Sequence, residues 1–110
     1  MALIPKGAKA VFPVGDGESY ATLREPTNEE LNEYQVTKLD GPEKATDCER
    51  SMHYKTCQGK FFDLLVIGVV GLEDEKGPVT LDRLDVIPLS WKSEVVFRRW
   101  DRVPVDVQGF

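Results

Sequence analysis

Along this chain the apolar positions change rhythm, and each rhythm predicts a different element. Between Ala10 and Arg24 they alternate. Ala10, Phe12 and Val14 share one face of an extended segment and Ala21 and Leu23 one face of a second. Gly15-Asp16-Gly17 between them supplies the positive φ angles of a tight reversal. This predicts a β-hairpin, with Pro13, which has no amide to donate, placing the first arm at a sheet edge. From Asn28 the rhythm becomes helical, with Leu31, Tyr34 and Lys38 on one side and Glu29, Asn32 and Glu33 outward. Thr27 and Glu30 have capping-box spacing before it, Pro26 keeps the preceding residue extended, and Asp40-Gly41-Pro42 ends it near Leu39.

The stretch that the rest must be arranged around is Phe61 to Leu72, FFDLLVIGVVGL, in which only Asp63 is charged. A helical pattern leads into it from Glu43 through Cys48, Met52 and Tyr54, weakened at Gly59. The reading favoured is one long helix over Lys44 to Leu72, or two meeting near Gly59, and the alternative makes Lys60 to Val70 a central strand. As a helix the run would be apolar on nearly every side, with Gly68, Gly71 and Leu64 forming a shallow groove for the helix that opens at Pro88. That last helix runs through Leu89, Trp91, Val95, Val96 and Trp100. Glu73 to Pro78 reads as a solvated turn, and Thr80 can cap a short turn over Leu81 to Leu84. Residues Met1 to Lys9 form a loose lead-in. The valines of Val103 to Phe110 alternate in an extended segment suited to pairing with another strand. Together these predict a single α+β domain, an N-terminal β-hairpin packed against about three helices.

Composition narrows the function. At 110 residues the chain can bury a core without disulfides or a metal, and 41% apolar with 30% charged residues is ordinary for a globular protein. A net charge of −5 opposes binding to nucleic acid or an anionic membrane. The apolar run is too short to span a bilayer, no secretory signal opens the chain, and two cysteines suit a reducing compartment, so a cytoplasmic protein is expected. Cys48, His53 and Cys57 are the most tempting chemical group. Zinc wants four ligands, and nine positions place the two cysteines on opposite faces of a helix. The plainer reading makes Cys48 a small core residue and His53 a surface one. One histidine, no nucleophile elbow, no phosphate loop and carboxylates that sit in helix starts and turns leave no support for an enzyme, a cofactor or a resident metal. Arg98, Arg99 and Arg102 with Trp91 and Trp100 could in principle stack and pair with a single strand of nucleic acid. Core tryptophans and arginines that cap a helix or meet an acidic partner explain them better.

The order of short phrases carries one further signal: Leu23-Arg24-x-Pro26-Thr27-x-x-Glu30 opening a helix, an apolar run ending Gly71-Leu72-Glu73-Asp74, a Gly77-Pro78-Val79 turn, then Ile87-Pro88-x-x-Trp91-Lys92-x-x-Val95. From Leu23 to Val96 the chain resembles the small tail assembly chaperones of long-tailed bacteriophages and prophages. The resemblance implies a non-enzymatic protein that coats the hydrophobic tape-measure protein, keeps it soluble and helps recruit tail-tube subunits. A structural virion component, such as a tail-completion or connector subunit, is the alternative, and homo-oligomers are compatible with either. The residues expected to contact a partner are those of the apolar run and the tail: Phe61, Phe62, Leu65, Val69, Val105, Val107 and Phe110.

Overall fold

The computed structural model describes residues 9–15, 18–41 and 43–101. Strands β1 (Lys9–Val14) and β2 (Ser19–Arg24) form the expected hairpin, with Gly15 at φ 70° leading into the turn. Helix α1 (Asn28–Leu39) begins at the expected capping box: the Thr27 hydroxyl accepts from the Glu30 amide, and the Glu30 carboxylate accepts from the Thr27 amide. A second box, built from Thr46 and Glu49, starts helix α2 (Asp47–Leu65). The chain then passes directly into strand β3 (Val66–Val70). A small hairpin, β4 (Glu73–Asp74) with β5 (Gly77–Pro78), and a 3₁₀ segment over Leu81–Val86 lead to helix α3 (Leu89–Val96). A π-helical turn, Phe97–Asp101, completes the described chain. The architecture is α+β: the sheet order is β1-β2-β3, antiparallel throughout, and the helices pack against its inner face.

The apolar run is therefore neither one helix to Leu72 nor a central strand from Lys60. It changes type at Leu65/Val66. Helix α2 carries Phe61, Phe62 and Leu65 inward, and the β-branched pair Val66-Ile67 then favours extended backbone. Among the described residues β3 lies at the edge of the sheet and pairs on one side. A bulge at Ile67 sets two β3 residues against Leu23, so Val66 and Val69 both turn inward despite an odd spacing, opposite Leu23 and Ala21. The core that results holds Phe62, Leu65, Val96, Val14 and Leu23 at no more than 1% exposure, with Ala21 and Val95 beside them. Burying a side chain of the size of Phe62 or Leu65 contributes about 1.5–3 kcal/mol.

The glycine groove also falls elsewhere. A Cβ on Gly68 would meet nothing, and Gly71, at φ 83°, turns the chain out of β3 beside the Ser19 hydroxyl, which donates to its carbonyl at 2.9 Å. The residue that lets α3 approach is Gly59, in the middle of α2: a Cβ there would lie 2.4 Å from a Leu89 methyl. Asp63, the lone charge of the run, also faces α3, where it pairs at 2.8 Å with the buried ammonium of Lys92, itself 6.0 Å from the centre of the Phe62 ring. Thr80 makes no side-chain cap, and Glu73 to Pro78 is a hairpin with its turn at Glu75-Lys76, tied by an ion pair between Asp74 and Arg83.

Candidate functional site

The fold divides the apolar run into an inward and an outward half. Phe61, Phe62 and Leu65, expected at a partner surface, are covered by their own chain, and Val69 is half-buried against the same core. They build the core of the domain, and Phe61 also lines the opening between α1 and α2. Val105, Val107 and Phe110 lie outside the described residues. The outward half comprises Leu64, Ile67 and Val70, with exposures of 50%, 46% and 69%, none of them among the residues expected to meet a partner. Spacing of three along the sequence was the available signal. It could not be read without knowing that helix gives way to strand between Leu64 and Ile67.

Two surfaces begin from this outward half. On the outer face of the sheet, Val70 stands in register with Tyr20 and, through it, Pro13, while Val11 lies in the neighbouring row with Thr22 and Gly68. The second surface is a trough of about 440 Å³ between α1 and α2. Tyr34 and Thr37 line it from α1, and His53, Thr56, Cys57, Lys60 and Leu64 from α2. Its floor is aromatic. Tyr34 stacks on Phe61 with ring centres 4.2 Å apart and planes within 6°, and Trp100 meets Phe61 edge-on at 5.2 Å.

Hydrogen bonds hold two residues of the trough lining, Glu30 and Tyr34, in place. Arg24 donates twice to Glu30, at 2.8 and 2.7 Å, and this pairing, with the amide of Thr27, lowers the Glu30 carboxyl to about 2. Beneath α1, Asp101 accepts from the Tyr34 hydroxyl at 2.6 Å, from Lys38 Nζ at 2.5 Å and from Gln58 Nε2 at 2.9 Å. Burial pushes the Asp101 carboxyl up, but these three donors outweigh it and hold the pKa below the usual value. Burial, followed by the bond to Asp101, pushes the Tyr34 phenol far up, so its proton stays in place to donate. The π-helical turn thus delivers one carboxylate that ties α1, α2 and the end of α3 together. Arg99 adds a link to Glu25 at 2.6 Å, and Arg98 pairs at 2.6 Å with Glu94, four residues back in α3.

Comparison with protein-family models, curated proteins and solved structures gives no match. The chemistry of the site must therefore be read from its own residues. His53 Nε2 lies 3.0 Å from the Thr37 carbonyl and 3.7 Å from Cys57 Sγ, which joins two helices but presents no third ligand. Among the described residues no group of three or more His, Cys, Asp or Glu side chains is gathered as a metal site would need. Burial raises the Cys57 thiol, which disfavours the thiolate a nucleophile requires. Cys48 is exposed, on the solvated first half of α2, and is not the core residue its type suggests. Trp91 and Trp100 are half-buried against the core. No described helix is long and apolar enough to cross a membrane. What the site offers is apolar surface framed by charge.

Proposed function

We propose that the protein is a non-enzymatic assembly chaperone of a phage or prophage tail, holding the hydrophobic tape-measure protein in solution in the bacterial cytoplasm and bringing it to tail-tube subunits. The observation that carries this reading is the outward half of the apolar run: Leu64, Ile67 and Val70 remain exposed on a chain whose core is already filled by Phe61, Phe62 and Leu65. Apolar side chains left outside a closed core are the feature a holding protein needs. The acidic balance supports the same reading, because like charge keeps such a surface from binding its own copies indiscriminately. The client class is taken from the resemblance carried by the order of sequence phrases from Leu23 to Val96.

Co-expression with the tape-measure protein of the same gene cluster tests the proposal. The tape-measure protein is expected in the soluble fraction, co-purifying with this chain, and in the pellet when it is expressed alone. A client that stays soluble alone and never co-purifies contradicts the reading. Stoichiometric recovery of this chain from purified virions would instead assign it to the structural components of the particle.

A further inference from the structure

The trough between α1 and α2 has a shape that selects its occupant. Along α2 its lining residues fall at His53, Thr56 and Cys57, Lys60 and Leu64, a stripe at intervals of three and four. Eleven positions at 1.5 Å each make it about 16 Å long, three helical turns. Thr56, Lys60 and Leu64 of this stripe are exposed with Cys57 buried between them, and two helices that part in this way present ridges and a groove into which the ridge of a third helix fits. Their charges are divided between the rims. Glu33 stands exposed on the α1 side and Lys60 exposed on the α2 side, and no ion pair among the described residues joins them. Glu30, also on the α1 side, is already neutralised by Arg24.

We infer that this trough receives an amphipathic helix from a partner, its apolar stripe laid along Thr56, Cys57, Lys60 and Leu64 over the Tyr34–Phe61 stack, with a basic residue on the flank facing Glu33 and an acidic residue on the flank facing Lys60. An extended strand would leave its backbone amides unpaired between two helices, whereas a helix satisfies its own. The opposed rim charges give the incoming helix one preferred direction, as the flanking charges of coiled coils do. The inference rests on the partner-holding reading of Leu64 and names the form of partner that surface takes. It does not depend on the partner's being a tail protein.

The test uses synthetic peptides of about 18 residues with a leucine stripe at helical spacing. One carries lysines along one flank and glutamates along the other, a second carries glutamine on both flanks, and a third repeats the first with a central proline. Binding to the full chain is read by fluorescence anisotropy and mapped by amide chemical shifts. The lysine/glutamate peptide is expected to bind about fivefold more tightly than the glutamine peptide at low salt, as two rim ion pairs allow. Its shifts should centre on Tyr34, Thr56, Lys60 and Leu64. The proline peptide should fail to bind. Thr56→Arg, which fills the trough from an exposed helical position, should weaken binding at least tenfold, and the double variant Glu33→Gln/Lys60→Gln should remove the advantage of the charged peptide. Glu75→Gln, in the exposed turn between β4 and β5 and outside the trough lining, should leave peptide affinity unchanged. Equal binding of the proline peptide, an unchanged affinity in Thr56→Arg, or no binding of any peptide to the wild-type chain overturns the inference. Because no tape-measure protein is used, this test can fail while co-expression succeeds, and the reverse.

Discussion

The two halves of helix α2 stand in opposite environments, one in the core and one in solvent. From Cys57 to Leu65 it buries Cys57, Gln58, Gly59, Phe61, Phe62 and Leu65, and touches both the sheet and α3. From Asp47 to Thr56 no residue is buried, and Met52 and Tyr54 are among the exposed large side chains. The first half owes its helicity to local terms, the Thr46–Glu49 capping box and acidic residues in the first turn, together with the tie from His53 to Thr37. The second owes it to packing. A helix that is half core and half solvated can offer a surface to a partner without putting its own folding at risk, since the residues that hold the fold are not those that face out.

That contrast can be broken at its strongest point by Phe62→Ala. Phe62 is fully buried, so truncation removes its transfer free energy and leaves a cavity, and a loss of about 3–5 kcal/mol in chemical denaturation is expected. Asp101→Ala comes next. It leaves Tyr34, Lys38 and Gln58 without their shared acceptor, which should cost about 2–4 kcal/mol. Its pH dependence has a definite sign. A carboxyl held below its ordinary value adds stability that is complete above the unfolded-state pKa and disappears as pH falls through the folded one. Thermal melts between about pH 6 and 2 should therefore show a shallower acid limb in Asp101→Ala than in the wild-type chain. Glu30 should keep contributing to that limb in the variant, from 4.5 down to about 2. The solvated half of α2 should respond least. Thr46→Ala removes one cap and should cost about 1 kcal/mol, read as faster hydrogen exchange over Asp47–Thr56 with little change in the core.

How legible the fold was depended on punctuation. Helix α1 could be read to its ends because Thr27, Glu30 and Asp40-Gly41 mark them, and the β1–β2 hairpin because alternation flanks a glycine turn. The junction at Leu65/Val66 has no such mark. No glycine or proline separates helix from strand and the apolar content is continuous across it, so the local preference of Val66-Ile67 for extended backbone is a weak mark that the tertiary cover, with α3 on one side and β2 on the other, completes. The start of α2 was legible in principle, since Thr46-x-x-Glu49 repeats the pattern of Thr27-x-x-Glu30. The candidate site was less so. Its outward residues Leu64, Ile67 and Val70 have the same chemistry as the inward ones, and composition cannot tell which side is covered. Asp101 lies far along the sequence from its three donors, so nothing local announces the carboxylate that joins α1, α2 and α3.

The central claim is that the inward half of the apolar run holds the fold and the outward half holds the client. The most direct measurement compares the triple variant Leu64→Ser/Ile67→Thr/Val70→Thr with the wild-type chain, by thermal melting and by co-expression with the tape-measure protein. The account predicts a variant that folds, about 1–2 kcal/mol less stable from the loss of partly exposed apolar area, and that no longer keeps the client soluble. A folded variant that holds the client as well as the wild-type chain would contradict it.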